Sequence, residues 1–214
     1  MSSEEIKFTT AEPGPTATRI LDIAEELFAE RGFAAVSVRD IAGRVGLNQA
    51  SLYNHFSSKQ ALYEAVLERG LRPILELLAR GAGTLLTPEA GDVLLEELVD
   101  QLWRTPNLPK LVQREVLDDG EYFERLAARW LRPIYEQGRR AMAAMPLQSA
   151  WAPEELPLLV IAMYHLLFGH FSSAAVLQRV IGVDPLSAEM RRTQVSFLKQ
   201  VSRRLLPVGS ADGA

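Results

Sequence analysis

Apolar residues recur along nearly the whole chain at a spacing close to 3.6, and no sustained run alternates with a period of two. That spacing gathers apolar side chains into one stripe on a helix, whereas a half-buried strand needs strict alternation. The fold class is therefore expected to be all-α. The first stripe is Ile20, Ile23, Ala24, Leu27 and Phe28, which predicts a helix over about Thr16 to Arg31. Gly32 suits the left-handed position just past a helix, with Phe33 as its apolar partner.

Two short helices should follow. Ser37 is a good N-cap and Asp40 stands three residues on, an approximate capping box for a helix from about Val38 to Val45. Ile41, Ala42 and Val45 form its inner face. Gly46 breaks it, Leu47 packs into the corner, and Asn48 caps a third helix from about Gln49 to Phe56. Leu52 and Phe56 face inward. Ser57 or Ser58 caps a fourth helix carrying Leu62, Tyr63, Val66 and Leu67 to about Arg69, and Pro73 predicts a kink or break after it.

The remainder reads as further helices, about nine in all. Thr87-Pro88 opens one to about Arg104, with proline at the first helical position. Others cover about Leu108–Leu117, Tyr122–Met145 and Pro153–Ile181. The last starts at Asp184-Pro185 or Ser187 and ends before Pro207. Residues 1–15 and 207–214 read as disordered tails. The expected domains are 16–62 and 63–206.

Several functions are disfavoured by composition. The 214 residues contain no cysteine, which removes disulfides, thiolate metal sites and a cysteine nucleophile. His165 and His170 are five apart and do not share a helix face, so no metal is expected. No Gly-rich phosphate loop, nor any need for a cofactor, is apparent. The first fifteen residues lack the apolar core of a secretory signal. The apolar stretch Leu156–Phe168 spans only about 20 Å as a helix, short of a bilayer core of roughly 30 Å. A cytoplasmic protein with no membrane partner is expected.

Two short helices joined by a glycine-containing turn and braced by a preceding helix make a helix-turn-helix unit. Its second helix fits the major groove of double-stranded DNA. The outward residues Gln49, Ala50, Ser51, Tyr53 and Asn54 are small or polar. Gln49 can make a bidentate contact to adenine, Ser51 can meet base or phosphate, and Ala50 can touch a thymine methyl. Tyr53, His55 and Lys59 suit phosphates, as do Ser37 and Arg39, and Val38 is a further candidate for DNA contact. The net charge of −4 gives no bulk basic signature. Between Val36 and Lys59 the balance is +2, from Arg39, Arg44 and Lys59 against Asp40.

The stretch from Thr18 to Glu68 resembles the N-terminal domain of TetR-type transcriptional regulators. The resemblance rests on Ala24, Leu27, Phe28 and Gly32, then Ile41, Ala42, Gly46, Leu52, Tyr53, His55, Phe56, Lys59 and Leu62, with Ser37 where threonine is usual. It implies a homodimer on a near-palindromic operator. It also implies a C-terminal helical domain whose small-molecule effector releases the DNA.

In that second domain Trp103, Arg114, Trp130, Tyr135, Tyr164, His165 and Phe168 are candidates to line a pocket. Gly169, Ser172 and Ser173 form a small-residue patch, and Val195, Leu198 and Val201 an apolar stripe. Both are candidates for the dimer interface. The alternatives are control by a protein partner, no effector at all, or an all-α enzyme.

Overall fold

The structure is a computed structural model that describes residues 14–81, 87–118, 121–144 and 151–206. Residues 1–13 and 207–214, read above as tails, and Met145 lie outside the described residues. Among those described, all regular structure is helical. The chain divides into two compact units, one through Val66 and the other from Leu67.

In the first unit, α1 (Pro15–Arg31) begins one residue before the expected start, because Pro15 is preorganised for the first helical position. Ile20, Ala24, Leu27 and Phe28 are buried. Gly32 has φ 83° and ψ 163°, a positive-φ conformation that favours glycine but lies outside the αL well, and its N–H closes on the Phe28 carbonyl. The chain thus leaves the helix abruptly and brings the Phe33 ring to 5.9 Å from Phe28 and 4.9 Å from Tyr63. Phe28 and Tyr63 meet edge to face at 4.9 Å, an arrangement aromatic quadrupoles favour.

Helix α2 (Val38–Val45) carries a complete capping box. The Asp40 N–H donates to Ser37 Oγ at 3.1 Å, and the Ser37 N–H donates to the Asp40 carboxylate at 2.9 Å. Gly46 closes α2 in the left-handed conformation, φ 81° and ψ 30°. There a side chain would be strained, although nothing lies within 4 Å of an added Cβ. Helix α3 (Gln49–Tyr53) is shorter than expected. Asn54 and His55 form a turn, and Phe56 is half-buried.

Helix α4 (Lys59–Gly81) is capped by Ser58, whose Oγ accepts from the Ala61 N–H at 3.0 Å. Of the kink or break expected at Pro73, the break does not occur: the helix continues through the proline. Proline removes one helical hydrogen bond at a cost of about 3 kcal/mol. Leu71, Ile74 and Leu77 on either side all stay buried, and that packing holds the helix together.

The second unit also contains α5 (Pro88–Arg104), α6 (Leu108–Asp118), α7 (Glu121–Leu126), α8 (Arg132–Ala144), α9 (Leu156–Ser172), α10 (Ala174–Val176) and α11 (Ala188–Leu205). Two helices expected to be continuous are interrupted. A π-helical turn at Ala127–Leu131 joins α7 to α8 just before Pro133, which lacks the N–H a regular turn would use. After a short 3-10 turn (Pro153–Glu155), α9 stops at Ser173, and a second π turn covers Leu177–Ile181. Of the two proposed starts for the last helix, Ser187 is the cap.

Helices α5 and α11 lie antiparallel, held by a ladder of ion pairs. Asp92 pairs with Arg203 and Glu96 with Lys199, both at 2.6 Å, and Asp100 with Arg191. Between them Leu95, Val99 and Leu198 form an apolar seam, and Trp103 Nε1 donates to Gln194 Oε1 at 2.8 Å.

The cap of α2 carries a prediction. Ser37→Ala should destabilise the N-terminal unit by about 1 kcal/mol, read as faster amide exchange in α2. The Ser37 hydroxyl, and then its amide, hold the Asp40 carboxyl below its ordinary value of 3.8. A depressed carboxylate stabilises the fold above its unfolded value and loses that effect as pH falls through its folded value. Amide protection of α2 should therefore weaken below about pH 4 in the parent chain, and with much less pH dependence in Ser37→Ala. Equal acid sensitivity in both chains would rule out the cap as the cause.

Candidate functional site

Helix α3 has too few residues to be stable alone. It is fixed from below by Leu52, which is fully buried, and at its start by Asn48, whose Oδ1 accepts from the Ser51 N–H at 2.8 Å. Those two ties orient its other side chains. Gln49, Ala50, Tyr53, Asn54 and His55 are exposed and Ser51 is half-exposed, so the expected reading face is presented to solvent. Tyr53 is 48% exposed, so its ring and hydroxyl are open to a partner.

The remaining candidates are more constrained. Val38 is buried with the core of the unit, so only its backbone at the start of α2 is free to meet a partner. Ser37 Oγ donates to the Asp40 carboxylate at 2.5 Å, which commits its proton to the cap. Arg39 is exposed. Arg44 is held by Glu26 at 3.0 Å and Glu30 at 4.0 Å, both on α1. Lys59 turns inward: its ammonium lies 4.2 Å from the Phe33 ring centroid and donates to the Ala34 carbonyl at 3.4 Å. Desolvation there lowers its pKa from the ordinary 10.5. The local +2 therefore overstates the charge offered outward, and the ties of Arg44 and Lys59 had no sequence signal beyond residue type.

The second unit contains a cavity of about 140 Å³. It lies among the C-terminal half of α4, α5, α8, α9 and the end of α11, with Leu94, Leu98, Ile134, Met163 and Leu167 on its walls. Of the seven residues expected to line a pocket, Tyr164 and Phe168 do so, their rings 4.6 Å apart. The other five do not. Trp103 is held by Gln194 and packs on Phe171, Trp130 is buried elsewhere, and His165 is exposed. Arg114 and Tyr135 are half-buried away from its walls. Most of this cavity's wall is aliphatic, and those residues carry no aromatic signal in the sequence. His170 is also structural, donating to the Pro185 carbonyl at 2.7 Å.

The stripe Val195, Leu198 and Val201 faces inward too. Leu198 is 2% exposed, Val195 packs in the α5–α11 seam, and Val201 is half-buried. What α11 exposes is Phe197, at 56%. On α9 the exposed apolar residues are Leu158 and Ile161, followed by Val176, Val180 and Ile181. Of the small-residue patch, Gly169 and Ser172 are half-buried and Ser173 is exposed. The helical run Pro153–Ser172 has 20 residues, and within it an 18-residue window has a mean hydropathy of 1.3 and is 22% buried. By length and composition it matches a membrane span, longer than the thirteen-residue stretch Leu156–Phe168 suggested.

The model of the family described as "Bacterial regulatory proteins, tetR family" matches residues 20–66. The HTH-type transcriptional repressor Rv3405c of Mycobacterium tuberculosis is 34% identical over 148 residues, 63% of this chain and 71% of that protein. The chain belongs to the TetR family. The repressor KstR2 of Rhodococcus jostii is 40% identical to this TetR-family chain over 87 residues, 39% of the chain. That match spans only 43% of KstR2. The structure of the ketosteroid transcriptional regulator KstR2 of Mycobacterium tuberculosis superposes with a TM-score of 0.65 at 17% identity, covering 89% of this chain and 96% of that one. At that identity the likeness is one of fold. Family membership and the all-α, helix-turn-helix architecture thus agree with the sequence reading.

Proposed function

We propose that this protein is a homodimeric, sequence-specific DNA-binding repressor that leaves its operator when a small molecule binds the second unit. The observation that carries the DNA-binding reading is α3 itself. One buried leucine and one capping asparagine hold a five-residue helix with all its small and polar side chains outward. Gln49, Ala50 and Ser51 meet base edges, and Tyr53, Asn54, His55 and Arg39 meet the backbone, with the Val38 main-chain N–H at the start of α2 offered as a further donor beside the Ser37 cap. Lys59 acts mainly by bracing the loop at Phe33, and contributes its charge at longer range.

Dimerisation is supported by the apolar side chains left exposed on α9, the segment after it, and α11. Leu158, Ile161, Val176, Val180 and Phe197 are large apolar side chains left between 47% and 77% exposed, and covering such residues favours association. The same face explains the membrane-like composition of α9, whose inner residues Leu159, Phe168 and Phe171 are buried in the chain's own bundle. Two copies of α9 and α11 would form a four-helix interface with two-fold symmetry. A protein of this kind works in the cytoplasm.

The test begins with in vitro selection of bound DNA from random or genomic fragments, which should return a near-palindrome. Tyr53→Ala should then weaken binding to that site about tenfold while leaving thermal stability unchanged, because the ring is half exposed. With few free cations on the reading unit, binding should fall about 10–100-fold between 50 and 200 mM salt, as release of counterions from about two to four phosphates requires. Selection that enriches no sequence would end the repressor reading. A salt-independent affinity would end the phosphate assignments.

A further inference from the structure

Two glycines that packing does not demand border the cavity in the second unit. Gly91 in α5 and Gly138 in α8 both border it. A Cβ on Gly91 would meet nothing within 4 Å, and one on Gly138 would touch only Val160 Cγ1, at an ordinary 3.5 Å. By contrast, a Cβ on Gly70 or Gly81 would come within 2.7 Å and 2.6 Å of the neighbouring leucines Leu108 and Leu94. Glycine inside a helix is less favourable than any ordinary residue. At Gly91 and Gly138 a larger side chain would improve the helices, and what it would remove is the space.

The lining is as informative as the shape. Among the described residues no charged side chain borders the cavity, and the side-chain polar groups there are the hydroxyls of Tyr164 and Ser202. Neither hydroxyl bonds to another described residue. Burial raises the pKa of the Tyr164 phenol above its ordinary 10.0, so it remains an O–H donor at neutral pH. A carboxylate or phosphate placed here would lose its hydration with no cation to replace it, a large penalty. An apolar cavity of about 150 Å³ takes up a benzene-sized molecule, and this one is close to that size.

We infer that this cavity is the effector site and that it takes a neutral, largely hydrocarbon molecule. One hydrogen-bonding oxygen of that molecule would be met by the Tyr164 and Ser202 hydroxyls. The inference rests on the reading of the protein as ligand-released, and it specifies the ligand's chemistry. The probes are cyclohexanone and, as a charged molecule of similar shape, cyclohexanecarboxylate. Each is titrated into the full chain without DNA and followed by calorimetry and ligand-observed NMR.

Cyclohexanone should bind saturably and the carboxylate at least tenfold more weakly. Gly91→Leu, which fills the space, should weaken cyclohexanone at least tenfold while raising Tm by about 2–4 °C. Gly138→Ala, the milder change, should weaken it severalfold. The Tyr164→Phe/Ser202→Ala double variant should weaken it at least threefold. Equal or tighter binding of the carboxylate, no saturable binding of cyclohexanone, or cyclohexanone binding unchanged in Gly91→Leu would each overturn the inference. Operator release by a cell extract addresses the broader reading separately. Release that persists in Gly91→Leu removes this cavity as the effector site but keeps ligand release, whereas no release of the parent chain by any extract removes ligand release itself.

Discussion

The double variant Ile161→Glu/Phe197→Glu is expected to be monomeric and to bind the selected operator at least about 100-fold more weakly than the parent chain. Both side chains are exposed in the single chain, at 47% and 56%, so the substitutions should cost the subunit's own fold little. In a two-fold interface each change occurs twice, and each copy would place a carboxylate in an apolar contact with no cation to meet it. The loss at the operator follows from linkage rather than from any DNA contact. Holding the second reading head near the first supplies an effective concentration worth about 10²–10⁴ in affinity. Light scattering reports the mass, fluorescence anisotropy the affinity, and circular dichroism the helix content. A variant that stays dimeric, or a monomer that binds as tightly as the parent, contradicts the proposed interface.

Leu52→Ala should have a comparable effect by a different route. Leu52 is the buried residue of α3, fully enclosed, and its truncation leaves a void beneath the helix. Such changes cost about 2–5 kcal/mol, a large part of the stability of a unit this small. With its anchor gone, α3 has only the Asn48 cap to hold it. Operator binding should fall by two orders of magnitude or more. Amide exchange should rise through α1–α3 and stay unchanged in α5, α9 and α11, because the core around Leu95, Val99 and Leu198 is untouched. Retained protection in α3 together with retained binding would show that the helix is held by something other than Leu52.

These two variants also divide what could be read without coordinates from what could not. Leu52 was identifiable as core from sequence, as were Ile20, Ala24, Phe28 and Ile41. Their roles follow from short-range rules: the 3.6 period, a serine three residues before an aspartate, and a glycine where a side chain would be strained. Each rule acts within about four residues, so the sequence holds all the information needed. The same logic yielded Thr87, whose Oγ1 accepts from the Ala90 N–H at 3.2 Å, and Ser187 as one of two possible caps. At Pro73 the helix continues where a break was one of two expected outcomes, and burial on both sides of the proline offsets the local penalty.

Phe197 was not identifiable. On α11 the apolar stripe Val195, Leu198 and Val201 is the most regular one, and it turns toward α5 because the charged residues beside it, Arg191, Lys199 and Arg203, pair with Asp100, Glu96 and Asp92. Which stripe faces inward is set by a partner helix about a hundred residues earlier. The cavity is a similar case: Gly91 and Gly138 are far apart in the chain, and only the packing of α5 against its neighbours shows that they border one space. Sequence by itself determined the helical class, the reading helix and its caps, because those are fixed by local geometry. The tertiary structure decided which faces of the second unit are core, which are bare, and where space is left, because burial depends on what other segments of the chain bring to the same place.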